Sequence, residues 1–299
     1  MTTYHINADS GNDSTGNGSS GNPWQTLAHA YNNSTIGDTI QCQDSTAAYE
    51  WQTIVFSTGR TIIGNATSPS SVVFDGLETH RYWMFNTGGD TDISGIRFTR
   101  SWKLTNAHEG QIYIKGSAAV SLDNCIFDNI KTGLSLARRG GLFGGQTTTG
   151  SGPLDNSSIT VSNSLIKGIA YDGVSAYKAL MGTQSFISWS WNLYNNVFDM
   201  SDQGTNIDNF IYEVSSTSAT LMAKNNIFYN RIGQVIDFVN GLTSTTFDNN
   251  GYYATAAGGW TDVPSGSGNV TSDPLFVDIE NGNYNLRPSS PLIGAGVLV

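Results

Sequence analysis

Apolar residues along this chain fall in short runs separated by polar turns, without the three- to four-residue spacing of helices. One six-residue pattern recurs: a small or apolar residue, a polar residue, Asn, any residue, an aliphatic and an aromatic. It reads Leu122-Asp-Asn124-Cys-Ile126-Phe127, Val161-Ser-Asn163-Ser-Leu165-Ile166 and Leu193-Tyr-Asn195-Asn-Val197-Phe198. It continues as Ala223-Lys-Asn225-Asn-Ile227-Phe228 and Phe247-Asp-Asn249-Asn-Gly251-Tyr252, and an earlier copy, Ile93 to Phe98, has Gly95 in the Asn slot. The anchors lie at 95, 124, 163, 195, 225 and 249, at intervals of 29, 39, 32, 30 and 24 residues.

Intervals of this size, with β-branched and aromatic residues around a fixed Asn, predict short parallel strands stacked as a solenoid. Asn and Gly share the anchor slot because both tolerate a left-handed backbone, which a sharp bend between strands needs. Asn124, Asn163, Asn195, Asn225 and Asn249 are expected to sit one strand spacing apart, roughly 4.8 Å, and to form an amide ladder. Phe98, Phe127, Phe198, Phe228 and Tyr252 are expected to stack in the core. The best helix candidate is Pro23 to Tyr31, with Asn22 as its N-cap, placed to cover the open end of the solenoid. The chain then divides into an entry and cap (1–40), the coils (41–255) and a closing segment (256–299), all one continuous domain.

Composition narrows the function. The 299 residues carry 14 Lys and Arg against 24 Asp and Glu, a formal charge of −10. Such a surface repels phosphate backbones and anionic lipid, which argues against nucleic-acid binding. No run approaches the length needed to span a bilayer, so membrane insertion is not expected. Abundant Asn, Ser, Thr and Gly with 13% charged residues would suit disorder, but 11% aromatics argue for a packed core. Cys42 and Cys125 lie far apart with no metal-ligand partner. They read as buried thiols, or as a disulfide in an oxidising compartment. The opening MTTYHINADSG has no basic segment followed by an apolar run. Either a leader has been removed or the protein leaves its cell without one, and a virion or extracellular surface position is expected.

Several segments together resemble the right-handed parallel β-helix proteins of the pectate-lyase-like superfamily. They are the entry Ala8 to Asp13, Pro23 to Ala28 and Gly37 to Ile40, and the closing stretches Ser272 to Phe276, Asn283 to Leu286 and Ser289 to Ile293. The closing motif departs from the family form in reading Gly294-Ala295-Gly296 where Asp often precedes a final Gly. The resemblance implies an all-β, single-stranded right-handed parallel β-helix. It is weak for chemistry, because this architecture hosts lyases, hydrolases, phage tailspikes and inert surface proteins.

In that superfamily, ligands usually bind on the outer face of the strand that precedes the Asn bend. Those strands are placed at 81–86, 111–115, 133–137, 173–177, 209–215 and 234–240, and alternation turns Tyr113 and Lys115 outward. Glu213 and Asp237 each lie 12 residues before an anchor, which predicts the same slot on adjacent coils. Two stacked carboxylates would split their pKa values as acid/base glycoside hydrolysis requires; the alternative is solvated surface acids, or a cation site with Asp208. A lyase would instead draw on Lys115, Arg138, Arg139 and Lys178, with His108 and Tyr177 near them. Arg138 and Arg139 open a Gly-rich stretch with no phosphate-loop pattern, so steadying an exposed loop is the competing role.

Trp83, Trp102, Trp189 and Trp191 do not fit the Phe stack. They are candidates for stacking on sugar faces, against the alternative of covering core at turns. The four histidines are too scattered to argue a constellation. No cofactor is called for; Ca²⁺ at Asp9 and Asp13 competes with simple turn capping.

The sequence therefore favours a surface or virion-associated, tailspike-like protein that binds polysaccharide or surface glycan. The alternatives are a glycoside hydrolase or polysaccharide lyase, and a structural rod without ligand. Tailspike-like relatives imply a homotrimer or contacts with other virion proteins, although no coiled-coil segment is present here to drive trimerisation.

Overall fold

Strand after strand alternates buried and part-exposed side chains. In Ser157–Ser162 the residues Ser157, Ile159 and Val161 are buried, and in Ser188–Tyr194 it is Trp189, Trp191 and Leu193. A strand with one buried face must lay that face on a core, and here three sheets share one core. The computed structural model describes residues 1–50, 54–77, 84–101, 112–114, 116–133, 142–146, 157–172, 179–184, 188–201, 209–214, 218–230, 236–240, 242–254 and 259–299.

Among the described residues the strands form three long sheets, of nine, eight and eight strands; sheet 1 runs from Thr3–Ile6 through Ala119–Asp123 to Ser244–Asp248. Sheet 2 runs from Tyr49–Glu50 through Ile126–Asp128 to Gly251–Ala254. Sheet 3 runs from Val55–Phe56 through Ile112–Ile114 to Trp260–Thr261. Strand pairing within all three is parallel, and the chain visits sheets 1, 2 and 3 in turn on each coil. This is a parallel β-helix.

The bend from sheet 1 to sheet 2 is made by the repeat's anchor. Asn124, Asn163, Asn195, Asn225 and Asn249 have φ of 50°, 50°, 56°, 59° and 56°, and Gly95 has 66°. On the outside of this bend, Asn195 Nδ2 donates to Asn163 Oδ1 at 3.1 Å and Asn225 Nδ2 to Asn195 Oδ1 at 3.0 Å. Asn163 donates instead to Asp123, and Asn124 to the Ala66 carbonyl. Asn249 donates to the Ala295 carbonyl, and Asn225 also exchanges hydrogen bonds with Val297, so the chain's last residues lie along this track.

A second, buried ladder lies one residue further on. The Asn196 N–H donates to Asn226 Oδ1, the Asn226 N–H to Asn250 Oδ1, and the Asn250 N–H to Asn269 Oδ1, at 3.1, 2.9 and 2.9 Å. Ser164 and Cys125 extend it toward the N-terminus. The core beside it is aromatic. Phe98 stacks on Phe127 at 5.1 Å and Phe198 on Phe228 at 5.2 Å, with Ile166 in register between Phe127 and Phe198.

The cap differs from the sequence expectation. The helix α1 is Leu27–Asn32, and Thr26 caps it by accepting from the His29 N–H. Trp24 is bridged to Ile6, so its backbone is committed to the sheet. Asp13 then accepts from the Gln25 and Thr26 N–H groups, which delays the helix start past Pro23. Tyr31 on α1 packs edge-on against Phe56 of the first coils, closing the core.

Arg60 is buried and holds this closure. Its guanidinium lies over the Tyr31 ring at 4.8 Å and donates to Ser34 Oγ, Ser34 O, Thr58 Oγ1 and Gly59 O. The Arg60→Met variant should strand these buried acceptors and lower stability by about 3 kcal/mol. Urea unfolding followed by tryptophan fluorescence checks this; a loss below about 1 kcal/mol would show the cap to be held by packing alone.

Candidate functional site

The position just after the core aromatic of each repeat lies at the far end of a sheet-2 strand. It carries Asp128, Lys167 and Asp199 on successive coils, and Lys167 is in direct register with Asp199. Asp128 and Asp199 thus stand two strand spacings apart, roughly 10 Å along the axis. Arg97 comes from the coil before. Its side chain, 32% exposed, makes a bidentate bridge to buried Asp128 at 2.8 and 3.2 Å.

The opposite wall is the closing segment. An antiparallel hairpin of Phe276–Asp278 and Asn283–Leu286 lies over sheet 2, with Phe276 packed edge-on between Tyr229 and Tyr284. Tyr284 Oη donates to Asp199 Oδ2 at 2.7 Å, and the Ser201 N–H donates to Asp199 Oδ1. Burial, together with the Asp199 carboxylate, pushes the Tyr284 phenol far above its ordinary pKa, so it remains a hydrogen-bond donor. The Lys167 ammonium lies 5.5 Å from the Tyr284 ring centre and makes no ion pair with a carboxylate among the described residues.

Between these walls is a cleft of about 400 Å³, floored by Asn129 and Gly168 and rimmed by exposed Glu280. Asn129 and Gly168 both have left-handed backbones, with φ of 51° and 59°. The chain turns sharply there, leaving the cleft open. Its lining offers donors, acceptors and one aromatic ring, which is the equipment for holding a polyhydroxylated ligand.

The residues singled out from sequence distribute differently. Trp189 and Trp191 are 1% and 0% exposed and pack edge-on at 5.2 Å in the core of sheet 1. They are inward members of the Trp189, Trp191, Leu193 alternation, so they offer no platform to a sugar. Tyr113 is only 3% exposed, although it sits between the core residues Ile112 and Ile114. It is covered and presents no binding face.

Glu213 and Asp237 do not share a slot. Asp237 pairs with Asn209, and Glu213 with Thr183 of the preceding coil. That register offsets the two acids by four residues along the strand, roughly 13 Å. Equal distance to the anchor misled because the register steps by 28 residues between these strands in sheet 3 (Asn209 to Asp237) but by 24 in sheet 1 (Thr220 to Ser244).

The strands proposed to precede the Asn bend in fact belong to sheet 3; sheet 1 stands directly before the bend. That holds for the windows 81–86, 111–115, 209–215 and 234–240; residues 134–137 and 173–177 lie outside the described residues, and the sheet-3 strands of those coils are Phe143–Gln146 and Ala179–Gln184. Trp83, Trp102, Lys115, Tyr177, Arg138 and Arg139 lie outside the described residues, as do His108 and Lys178.

Asp9 and Asp13 each tie the entry segment to a distant stretch of chain, Asp9 to Thr46 and Ala47 and Asp13 to Gln25 and Thr26. The Thr46 and Ala47 N–H groups hold the Asp9 carboxyl below its usual range. Among the described residues no group of three or more His, Cys, Asp or Glu is arranged to hold a metal. Cys42 and Cys125 are free and buried, with burial pushing the Cys125 thiol up to about 12. Among the described residues, no helix is long and apolar enough to cross a membrane.

A family model described as "Disaggregatase related" matches residues 173–296. No curated protein matches the chain. Among solved structures, a rhamnogalacturonan lyase aligns over 97% of this chain and 96% of its own, at 12% identity and a TM-score of 0.44. A GH136 lacto-N-biosidase from Eubacterium ramulus aligns over 91% of this chain and 67% of its own, at 10% identity and a TM-score of 0.42. The fold assignment rests on the strand register above and not on these alignments.

Proposed function

We propose that this protein is a surface-exposed β-helix that binds a carbohydrate polymer in the cleft between sheet 2 and the closing hairpin. The observation that carries the reading is the cleft's lining: Lys167, which makes no ion pair among the described residues, Glu280 at the rim and the Tyr284 ring, on the regular outer face of a solenoid. A polymer lying along that face would meet equivalent positions coil after coil. The stretch matched by the disaggregatase-related family contributes Asp199, Glu280 and Tyr284 to the same cleft.

Binding without cleavage fits the contacts best. Asp128 is committed to Arg97, and Asp199 to Tyr284 and Ser201. Hydrolysis needs one carboxyl free to give a proton to the leaving oxygen, and both acids of the sheet-2 wall are engaged as acceptors. The setting that suits such a protein is a cell or virion surface, where glycans are met.

A glycan-array screen, with bound material recovered for mass spectrometry, tests this. Retention of glycans of unchanged mass is the expected result. Shortened products would replace the binding reading with an enzyme, and an array with no retained glycan would contradict it.

A further inference from the structure

Sheet 1 has a second polar surface, on the side of the solenoid facing away from the core. Along its strands every second residue points outward, and the register lines these up coil over coil. One column runs Thr160, Asn192, Met222, Thr246; the next runs Ser162, Tyr194, Lys224, Asp248. The columns are tied along the axis: Asn192 Nδ2 donates to Thr160 Oγ1 at 3.2 Å and Tyr194 Oη to Met222 Sδ at 2.9 Å. Met222 is 41% exposed. Tyr194 and Met222 therefore make one apolar island, an aromatic ring beside a thioether, in a field of hydroxyls and amides.

We infer that this face is a second carbohydrate-binding surface, with a neutral glycan running along the solenoid axis and one pyranose stacked on Tyr194. Three features select that occupant. A pyranose has an apolar CH face for the ring and equatorial hydroxyls for flanking donors and acceptors such as Asn192, Thr160 and Thr246. The coil repeat of roughly 4.8 Å is close to the length of one sugar in an extended chain, so successive sugars meet successive coils. The face bears Asp92, Asp123 and Asp248 against Lys224, a balance that repels a polyanion and leaves an uncharged polymer favoured. The inference shares the carbohydrate reading above but uses none of the cleft's residues.

The test is isothermal titration of the full chain with hexasaccharides of β-glucan, mannan and galactan, and with hexagalacturonate as the charged comparison. At least one neutral hexasaccharide should bind better than the charged one. Tyr194→Ala should weaken that binding roughly tenfold, and Tyr194→Phe, which keeps the ring, should restore it. Thermal unfolding of both variants shows that they remain folded.

Lys167→Gln is titrated in parallel to separate the two sites. A loss in Tyr194→Ala with none in Lys167→Gln would support this face and count against the cleft. The reverse would overturn this inference and leave the cleft standing. It is also overturned if no neutral hexasaccharide binds, if the charged one binds better, or if Tyr194→Ala only abolishes self-association seen by sedimentation.

Discussion

Asn226→Ala should destabilise the protein by about 4 kcal/mol, a large share of the 5 to 15 kcal/mol available to a folded domain. Asn226 is fully buried, and its side chain has no slack. Nδ2 shares its two hydrogens among Leu193 O, Lys224 O and Asn250 Oδ1, while Oδ1 accepts from both the backbone N–H and the amide of Asn196. Alanine removes the side-chain acceptor of the buried Asn196 N–H and every bond the amide makes to its neighbours. Each buried group that loses its partner costs about 1 to 3 kcal/mol, and a polarised ladder raises the loss above a single bond.

The outer ladder provides the contrast. Asn225→Gly keeps a residue that accepts φ of 59°, and it removes only hydrogen bonds at the part-exposed bend. Its expected cost is about 1 kcal/mol. Urea denaturation of the two variants should separate them clearly. Equal losses would mean that the inner ladder is no more than a turn device.

Phe228→Ala is expected to cost a similar amount, about 4 kcal/mol. Phe228 is fully buried in the middle of the aromatic stack. It lies 5.2 Å from Phe198 and 5.6 Å from Phe247, both near parallel, with Phe210 edge-on at 5.1 Å. Because coils touch only their neighbours, the cavity would weaken two interfaces at once. Phe228→Leu, which refills most of the volume, should lose less than half as much. Thermal and urea midpoints for the pair check this, and a small, equal loss in both would show that the stack repacks freely.

Much of the fold is legible in the repeat. The anchor Asn marks a left-handed bend because few other residues accept that geometry, and the residue three places on is an inward aromatic because the strand that follows has period two. The inner ladder was in view as well. The slot treated as variable reads Ser164, Asn196, Asn226 and Asn250, a run of hydrogen-bonding side chains that an exposed turn position would not require.

The cleft was less legible, for two physical reasons. Asp128, Lys167 and Asp199 occupy the fourth residue after their anchors, a regularity that local spacing does contain. Yet the opposite wall, Ile279, Glu280 and Tyr284, comes from a hairpin some 80 residues later, and nothing local ties Tyr284 to Asp199. The tryptophans misled in the opposite direction. For Trp189 and Trp191, falling outside the Phe stack suggested a sugar platform, whereas the interleaved Ser188, Ser190 and Asn192 already spelled out an inward-facing pair.

The central claim, that the cleft holds carbohydrate, is tested most directly by the affinity of the best-retained glycan for the parent protein and for the Lys167→Gln, Glu280→Gln double variant. Both side chains reach the cleft without supporting the core. The expected result is a fall in affinity of at least roughly tenfold with an unchanged unfolding midpoint. Undiminished affinity in the folded double variant would contradict the assignment and place the ligand elsewhere on the solenoid.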